Sequence, residues 1–179
     1  MERAKTDKTG SSSREKDAIA LLKADHRQVE EWFEQFEKAK GEGRKQKLAL
    51  EICKELTIHT ILEEEIFYPA LEGKVDEDLL KESFVEHDAA KVMIAEIEAG
   101  EPSDEFYDAK VKVLSEEIEH HVEEEEKPKE GLFAQARAAD VDLDALGAQM
   151  IMRKERLQEE IKSGGLPAPE STTLEEVQV

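Results

Sequence analysis

Four of the five histidines stand where a helix would turn them inward, and two glutamates stand with them. His26 lies four residues past Leu22 and three before Val29. His59 lies three past Leu56, Glu63 four beyond it, and Ile66 three beyond that. His87 lies three past Phe84, and His121 three past Ile118, with Glu125 four further on. Residues four apart on a helix point the same way, so His59/Glu63 and His121/Glu125 are each a preformed pair of donors. Neutral imidazole and carboxylate together suit divalent metal ions. A lone inward histidine is ordinarily a hydrogen-bonded structural residue. The argument for metal therefore rests on the group. An ionised carboxylate in a core needs a cation or a donor beside it, and Lys91 is the one obvious basic residue on the same stripes.

The pattern also repeats. An acidic residue precedes the first histidine of each half (Asp25-His26, Glu86-His87), and an HxxxE pair follows. His59 comes 33 residues after His26, and His121 comes 34 after His87. A pseudo-twofold arrangement would bring all six side chains to one midpoint, a geometry that suits two metal ions bridged by the carboxylates. His120 would match the first half's spacing, but its neighbours Val113, Glu117 and Glu124 make a poorer seam, so His121 is the preferred ligand.

The elements that must position these residues follow from apolar spacing. Ile19, Leu22, Val29, Phe33 and Phe36 form one 3-4 stripe. Ile52, Leu56, Ile66 and Ala70 form a second, Leu80, Phe84, Ile94 and Ile97 a third, and Val111, Leu114 and Ile118 a fourth. Gly41 and Gly43, Gly73, the Gly100–Ser103 stretch and Gly131 mark the breaks. These signals predict an all-α fold: an antiparallel up-down-up-down four-helix bundle over residues 15–138. Asp142 caps an additional C-terminal helix over 139–163 that carries Leu143, Leu146, Met150 and Leu157. Residues 1–14 read as a flexible arm and 164–179 as a flexible tail.

Composition narrows the function. The chain has 179 residues, with 25 Lys and Arg against 45 Asp and Glu, a net charge of −20. That balance repels nucleic acid, whose affinity rests on phosphate neutralisation, and disfavours an anionic membrane surface. No run of 18 apolar residues exists to span a bilayer, and the polar start is unlike a secretory signal. The single Cys53 fits a reducing compartment, so the sequence predicts a cytoplasmic location. Charged residues at 39% and aromatics at 5% suit long solvated helices. The runs Glu63–Glu65 and Glu123–Glu126 accordingly read as solvated faces, Glu63 and Glu125 excepted. A ferritin-type ExxH at Glu117–His120 is not repeated elsewhere.

DHRQVEEWFEQFE, HTILEEEIFYPAL, EHDAAKVMIAEIE and HHVEEEE with GLF behind it occur in that order. Over about residues 16–137 the chain resembles the hemerythrin-like HHE cation-binding domain. The resemblance implies a non-haem di-iron centre in a four-helix bundle, with an oxo or hydroxo bridge. It marks His26, His59, Glu63, His87, His121 and Glu125 as ligands, Glu63 and Glu125 bridging. Manganese or zinc would accept many of the same donors, and iron enters through the resemblance. One position departs: oxygen-carrying hemerythrins have a further histidine where this chain has Lys91. Glu30, Glu64, Tyr68 and Tyr107 are the candidates to fill the gap. Of about twelve sites on two octahedral irons, four histidines, two bridging carboxylates and one bridging oxygen fill about ten. The centre expected is thus more open than a carrier's. It suits binding or reaction of O2, NO or H2O2 in sensing or in oxidative or nitrosative stress. A peroxidase- or catalase-like enzyme, an iron-handling protein and a metal-free structural protein are the other classes the sequence leaves open.

Overall fold

Asp17 accepts a hydrogen bond from the backbone N–H of Ala20 (2.8 Å) and so starts the first helix, α1, Ala18–Lys38. The computed structural model describes residues 17–165 and 171–174. The arm expected at 1–14 lies outside the described residues, as do 166–170 and 175–179 of the expected tail. Gly41, at φ 90°, precedes α2, Glu42–Leu62. Gly43 falls inside that helix, so Gly41 alone makes the turn that the pair was expected to frame. A π-helical turn, Glu63–Phe67, follows without interruption and runs into the short α3, Tyr68–Leu71, with Pro69 in its first turn. Asp76 caps α4, Glu77–Glu98, by accepting from the N–H groups of Asp78 and Leu79. Then come α5, Tyr107–Glu126, α6, Leu132–Ala138, and α7, Leu143–Gly164, the last capped by Asp142.

Every regular element among the described residues is helical. Four of the five long helices touch in a ring, α1 with α2, α2 with α4, α4 with α5 and α5 with α1. The helix α7 lies against α1, α2 and the π turn, and α6 against α5. No helix is long and apolar enough to cross a membrane among the described residues.

The core divides into two apolar clusters. One holds Val29, Phe33, Ile52, Leu56, Ile94, Leu114 and Ile118, with Cys53, whose thiol burial pushes up to about 12. The other joins Ile19, Leu22, Leu62, Phe67, Tyr68 and Leu71 to Leu132, Phe133, Met150 and Leu157 of α6 and α7. A polar layer lies between them. Along α1 the order is Leu22, His26, Val29, and along α2 it is Leu56, His59, Leu62, so each histidine stands at the junction of the clusters.

The apolar stripes hold in the first, second and fourth segments as far as the histidines. Beyond Glu63 the second stripe shifts. Ile66 and Ala70, expected inward, are only half-buried, and Phe67, Tyr68 and Leu71 are buried instead. The cause is the π turn, which adds a residue to one turn and rotates everything after it. On α4, Phe84 is half-buried and Ser83 takes the inner position. The segment 171–174 of the expected tail lies against α4, with the backbone N–H groups of Thr172, Thr173 and Leu174 donating to the Asp88 carboxylate.

Candidate metal centre

Six side chains meet in the polar layer: His26 from α1, His59 from α2, Glu63 from the π turn, His87 from α4, and His121 and Glu125 from α5. None is more than 4% exposed. Two donor sets result, His26/His59/Glu63/Glu125 and Glu63/His87/His121, with Glu63 common to both. His26 Nε2 and His59 Nε2 lie 3.1 Å apart, and His87 Nε2 and His121 Nε2 3.2 Å. Glu63 Oε2 is 3.2 Å from His59 Nε2 and 3.2 Å from His87 Nε2. With metal–ligand bonds of about 2.1 Å, donors at right angles around one ion sit about 3.0 Å apart, so these separations suit ligands of a common metal. Glu125 Oε2 stands between the sets, 3.5 Å from His26 Nε2 and 3.8 Å from His121 Nε2.

Charge makes the same point. Glu63 Oε1 and Glu125 Oε2 are buried and accept no hydrogen bond, a costly state for a carboxylate that lacks a cation. Burial, with the charge of Glu63 beside it, raises Glu125 to about 8. Burial also opposes ionisation of Glu63, but His59 and His87 outweigh it and hold Glu63 low. Desolvation pushes His26 down to about 4. At His59 the same burial is overcome by Glu63 and Asp25, which hold it up at about 10. The donor chemistry and the unsatisfied oxygens both fit a metal pair, whose binding would release these protons.

The outer nitrogens of the rings are turned to a second layer of carboxylates. His26 Nδ1 donates to Glu126 (2.9 Å), His87 Nδ1 to Glu64 (3.0 Å) and His121 Nδ1 to Glu86 (2.7 Å). A proton held at Nδ1 leaves the Nε2 lone pair facing inward, where a ligand needs it. His59 is the exception: Asp25 stands 3.9 Å from Nδ1, which has no hydrogen-bond partner. Glu64 and Glu126, expected on solvated faces, are thereby corrected to holders of histidine rings. The helical spacing could not separate them from the surface glutamates beside them.

Tyr68 is the residue that the spacing ranked too low. Its hydroxyl lies 3.1 Å from Glu125 Oε1, 3.2 Å from Glu63 Oε2 and 3.2 Å from His87 Nε2. Burial, followed by the charges of Glu125 and Glu63, raises its pKa well above the usual 10, so the phenol stays protonated. The π turn is what delivers it. The other candidates for the open position stand elsewhere: Glu64 on the outer nitrogen of His87, Glu30 paired with Arg27 (3.1 Å), and Tyr107 inside the apolar cluster away from the histidines. Lys91 does not face the two inner glutamates. Its ammonium pairs with Glu64 (2.8 Å) and Asp88 (3.0 Å). Of the two adjacent histidines, His121 is buried with the group and His120 is exposed.

Two closures complete the centre. Phe133 stacks on His26, with centroids 5.8 Å apart and planes 9° from parallel. It is placed there by the turn at Gly131, where a Cβ would collide with the backbone carbonyl oxygens of Glu124 and Glu125. Beside the rings a cavity of about 10 Å³ is lined by His26, His59, His87 and His121 with Val29, Leu56 and Ile118. That is about the room of a single water molecule, too little for an organic substrate.

Residues 17–129 match the family model of the hemerythrin HHE cation binding domain. A DNA nickase from Nostoc sp. (strain PCC 7120 / SAG 25.82 / UTEX 2576) is 27% identical over 128 residues, 72% of this chain and 36% of that protein. The chain thus spans about a third of that relative's length. The crystal structure of a hemerythrin HHE cation binding domain-containing protein from Mycobacterium kansasii superposes with a TM-score of 0.66. It is 20% identical and covers 83% of this chain and 94% of its own, a likeness of fold.

Proposed function

The chain belongs to the hemerythrin HHE cation-binding domain family, and from that premise we propose that it is a non-haem di-iron protein that binds or reacts with O2, NO or H2O2. In this reading the helical ring is an antiparallel up-down-up-down four-helix bundle, and His26, His59, Glu63, His87, His121 and Glu125 would hold two irons, Glu63 and Glu125 as the carboxylates shared between them. The observation that carries it is the pair of buried carboxylate oxygens without hydrogen-bond partners, set among four inward Nε2 atoms. When bound, the iron pair supplies Lewis-acid and redox chemistry toward small oxygen and nitrogen ligands.

The chain's own residues would do the rest. Glu126, Glu64 and Glu86 orient three rings. Tyr68 keeps a proton at its hydroxyl beside His87 and can donate it as a hydrogen bond to a small ligand. Val29, Leu56 and Ile118 restrict the adjoining cavity to about the room of a single water molecule. A position served by a protonated phenol in place of a fifth histidine favours reaction or sensing over reversible carriage of oxygen. The charge of −20 argues against a DNA substrate for this chain.

Metal analysis of protein grown with iron tests the reading: about two irons per chain are expected, and fewer than about one per two chains would overturn it. Optical spectra after adding peroxide or NO then separate a single stoichiometric reaction, expected of a sensor, from repeated turnover by an enzyme. Chelation should lower the melting temperature by about 8 °C or more, the effect of about 4 kcal/mol of lost ligand binding on a chain of this size.

A further inference from the structure

We propose that Glu86, His120 and Glu124 form a peripheral divalent-cation site, linked through Glu86 to His121 of the buried centre. The three offer one ligand atom each within 4.8 Å of one another. His120 Nε2 stands 3.6 Å from Glu86 Oε1 and 3.7 Å from Glu124 Oε1. Those separations are long for hydrogen bonds. They are close to the spacing of about 3.4 Å between two ligands of a tetrahedral ion with bonds of about 2.1 Å. One imidazole with two carboxylates, on an open face where water completes the shell, is a donor set for zinc, cobalt or manganese.

An independent observation comes from the carboxylates nearest the outer ring nitrogens, three of them hydrogen-bonded and Asp25 at 3.9 Å. Each of the three besides Glu86 carries a fixed cation. Glu126 pairs with Lys23 (3.0 Å) and Arg27 (2.7 Å), Glu64 with Lys91 (2.8 Å), and Asp25 with Lys154 (2.8 Å). Glu86 has no Lys or Arg partner among the described residues, and the group facing its free oxygen is His120. A divalent ion there supplies the charge that lysine or arginine supplies at the other three. The approach is built for it as well. A groove of about 480 Å³ reaching His120 and Glu124 is lined by Asp76, Asp78, Glu82 and Glu123, with Lys127 at its edge paired to Glu130 (2.8 Å). Such a surface concentrates cations.

The link inward is one residue long. Glu86 turns Oε1 to His120 and Oε2 to His121 Nδ1. A cation on Oε1 draws charge from the carboxylate and weakens it as acceptor at Oε2, which makes His121 a poorer donor at Nε2. The site itself does not need iron at the centre, whereas this coupling rests on the reading given above.

The test is zinc binding to the full chain carrying its resident metal, by equilibrium dialysis with metal analysis, comparing wild type with His120→Ala and Glu124→Gln. Both positions are exposed or partly so, and circular dichroism verifies folding. Wild type takes up one more zinc per chain, the variants bind it at least about tenfold more weakly, and resident iron is the same in all three. Equal zinc uptake in wild type and His120→Ala overturns the site, as does zinc taken up only in exchange for iron. The coupling is read separately: zinc shifts the ferric absorption bands of wild type and leaves those of His120→Ala unmoved, and an identical response in both overturns it. A zinc difference in protein that holds no iron sinks the di-iron reading and leaves the peripheral site standing.

Discussion

The two halves of the centre present their histidines almost identically and surround them differently. The rings of His26 and His59 lie 4.8 Å apart at 58°, those of His87 and His121 4.8 Å apart at 57°. Outside the rings the likeness ends. In the first half a π turn starts at the glutamate of the HxxxE pair and the helix runs on, whereas in the second the helix ends at Glu126, one residue past Glu125. That turn sends Tyr68 across to His87, so a first-half residue tops the second donor set. On the other side α7 sends Lys154 to Asp25 and Glu55, and Asp25 ends 3.9 Å from the ring it would otherwise hold. What the repeat fixes is the geometry of the four rings. The differences enter through elements that are not repeated, and they act on the groups around the rings.

Glu63 gives the comparison its hardest test, because it belongs to both donor sets and lies 3.2 Å from a histidine of each. Glu63→Gln keeps the shape and removes the shared charge, and is expected to lower the metal content from about two per chain to near zero. His59→Ala and His121→Ala should each lose about one. If Glu63→Gln keeps a full equivalent, the halves are independent sites. A smaller effect is expected at Tyr68, the residue that breaks the symmetry. Tyr68→Phe should leave the metal count unchanged and cost about 1 kcal/mol of stability. The rate of reaction with NO or peroxide should fall about tenfold, as for loss of a positioned proton donor; stopped-flow absorbance reads it, and an unchanged rate would show that the phenol only packs. Smallest is Lys154→Met. It frees Asp25 at a cost of about 1 kcal/mol, as for a partly exposed ion pair, so the melting temperature should drop by about 2–4 °C. Asp25 then closes on His59 Nδ1, and the nitrogen shifts of the four histidines should become more alike. A spectrum unchanged at His59 would mean that α7 does not set this difference.

These contrasts also mark how far the sequence could be read. The six inward residues were legible because an interior seam tolerates few polar groups, and each of the six interrupts one. Regular spacing carried that reading as far as Glu63. It failed beyond, at Ile66 and Ala70, because a constant 3.6 residues per turn cannot register a π turn. Tyr68 consequently looked no better than Glu30 or Tyr107. Glu64, Glu86 and Glu126 escaped for a different reason: in a chain with 45 acids they sit among glutamates of the same composition, and only tertiary contacts distinguish them. Asp25 and Lys154 are 129 residues apart, a separation on which local periodicity is silent.

The wide turn at Glu63–Phe67 has a consequence for how such a centre could diverge. The turn takes up one residue more than a regular helix would, so Phe67 and Leu71 hold the inward places that Ile66 and Ala70 would otherwise fill. A chain shorter by a single codon within Glu64–Ile66 would close the turn to a regular spiral and keep Tyr68, then four residues past Glu63, on the inner face with Leu71. The same loss from the regular part of α2 before His59 would swing the residues beyond it by about 100°. The wide turn is thus a place where the helix can gain or lose a residue while everything after it keeps its seat.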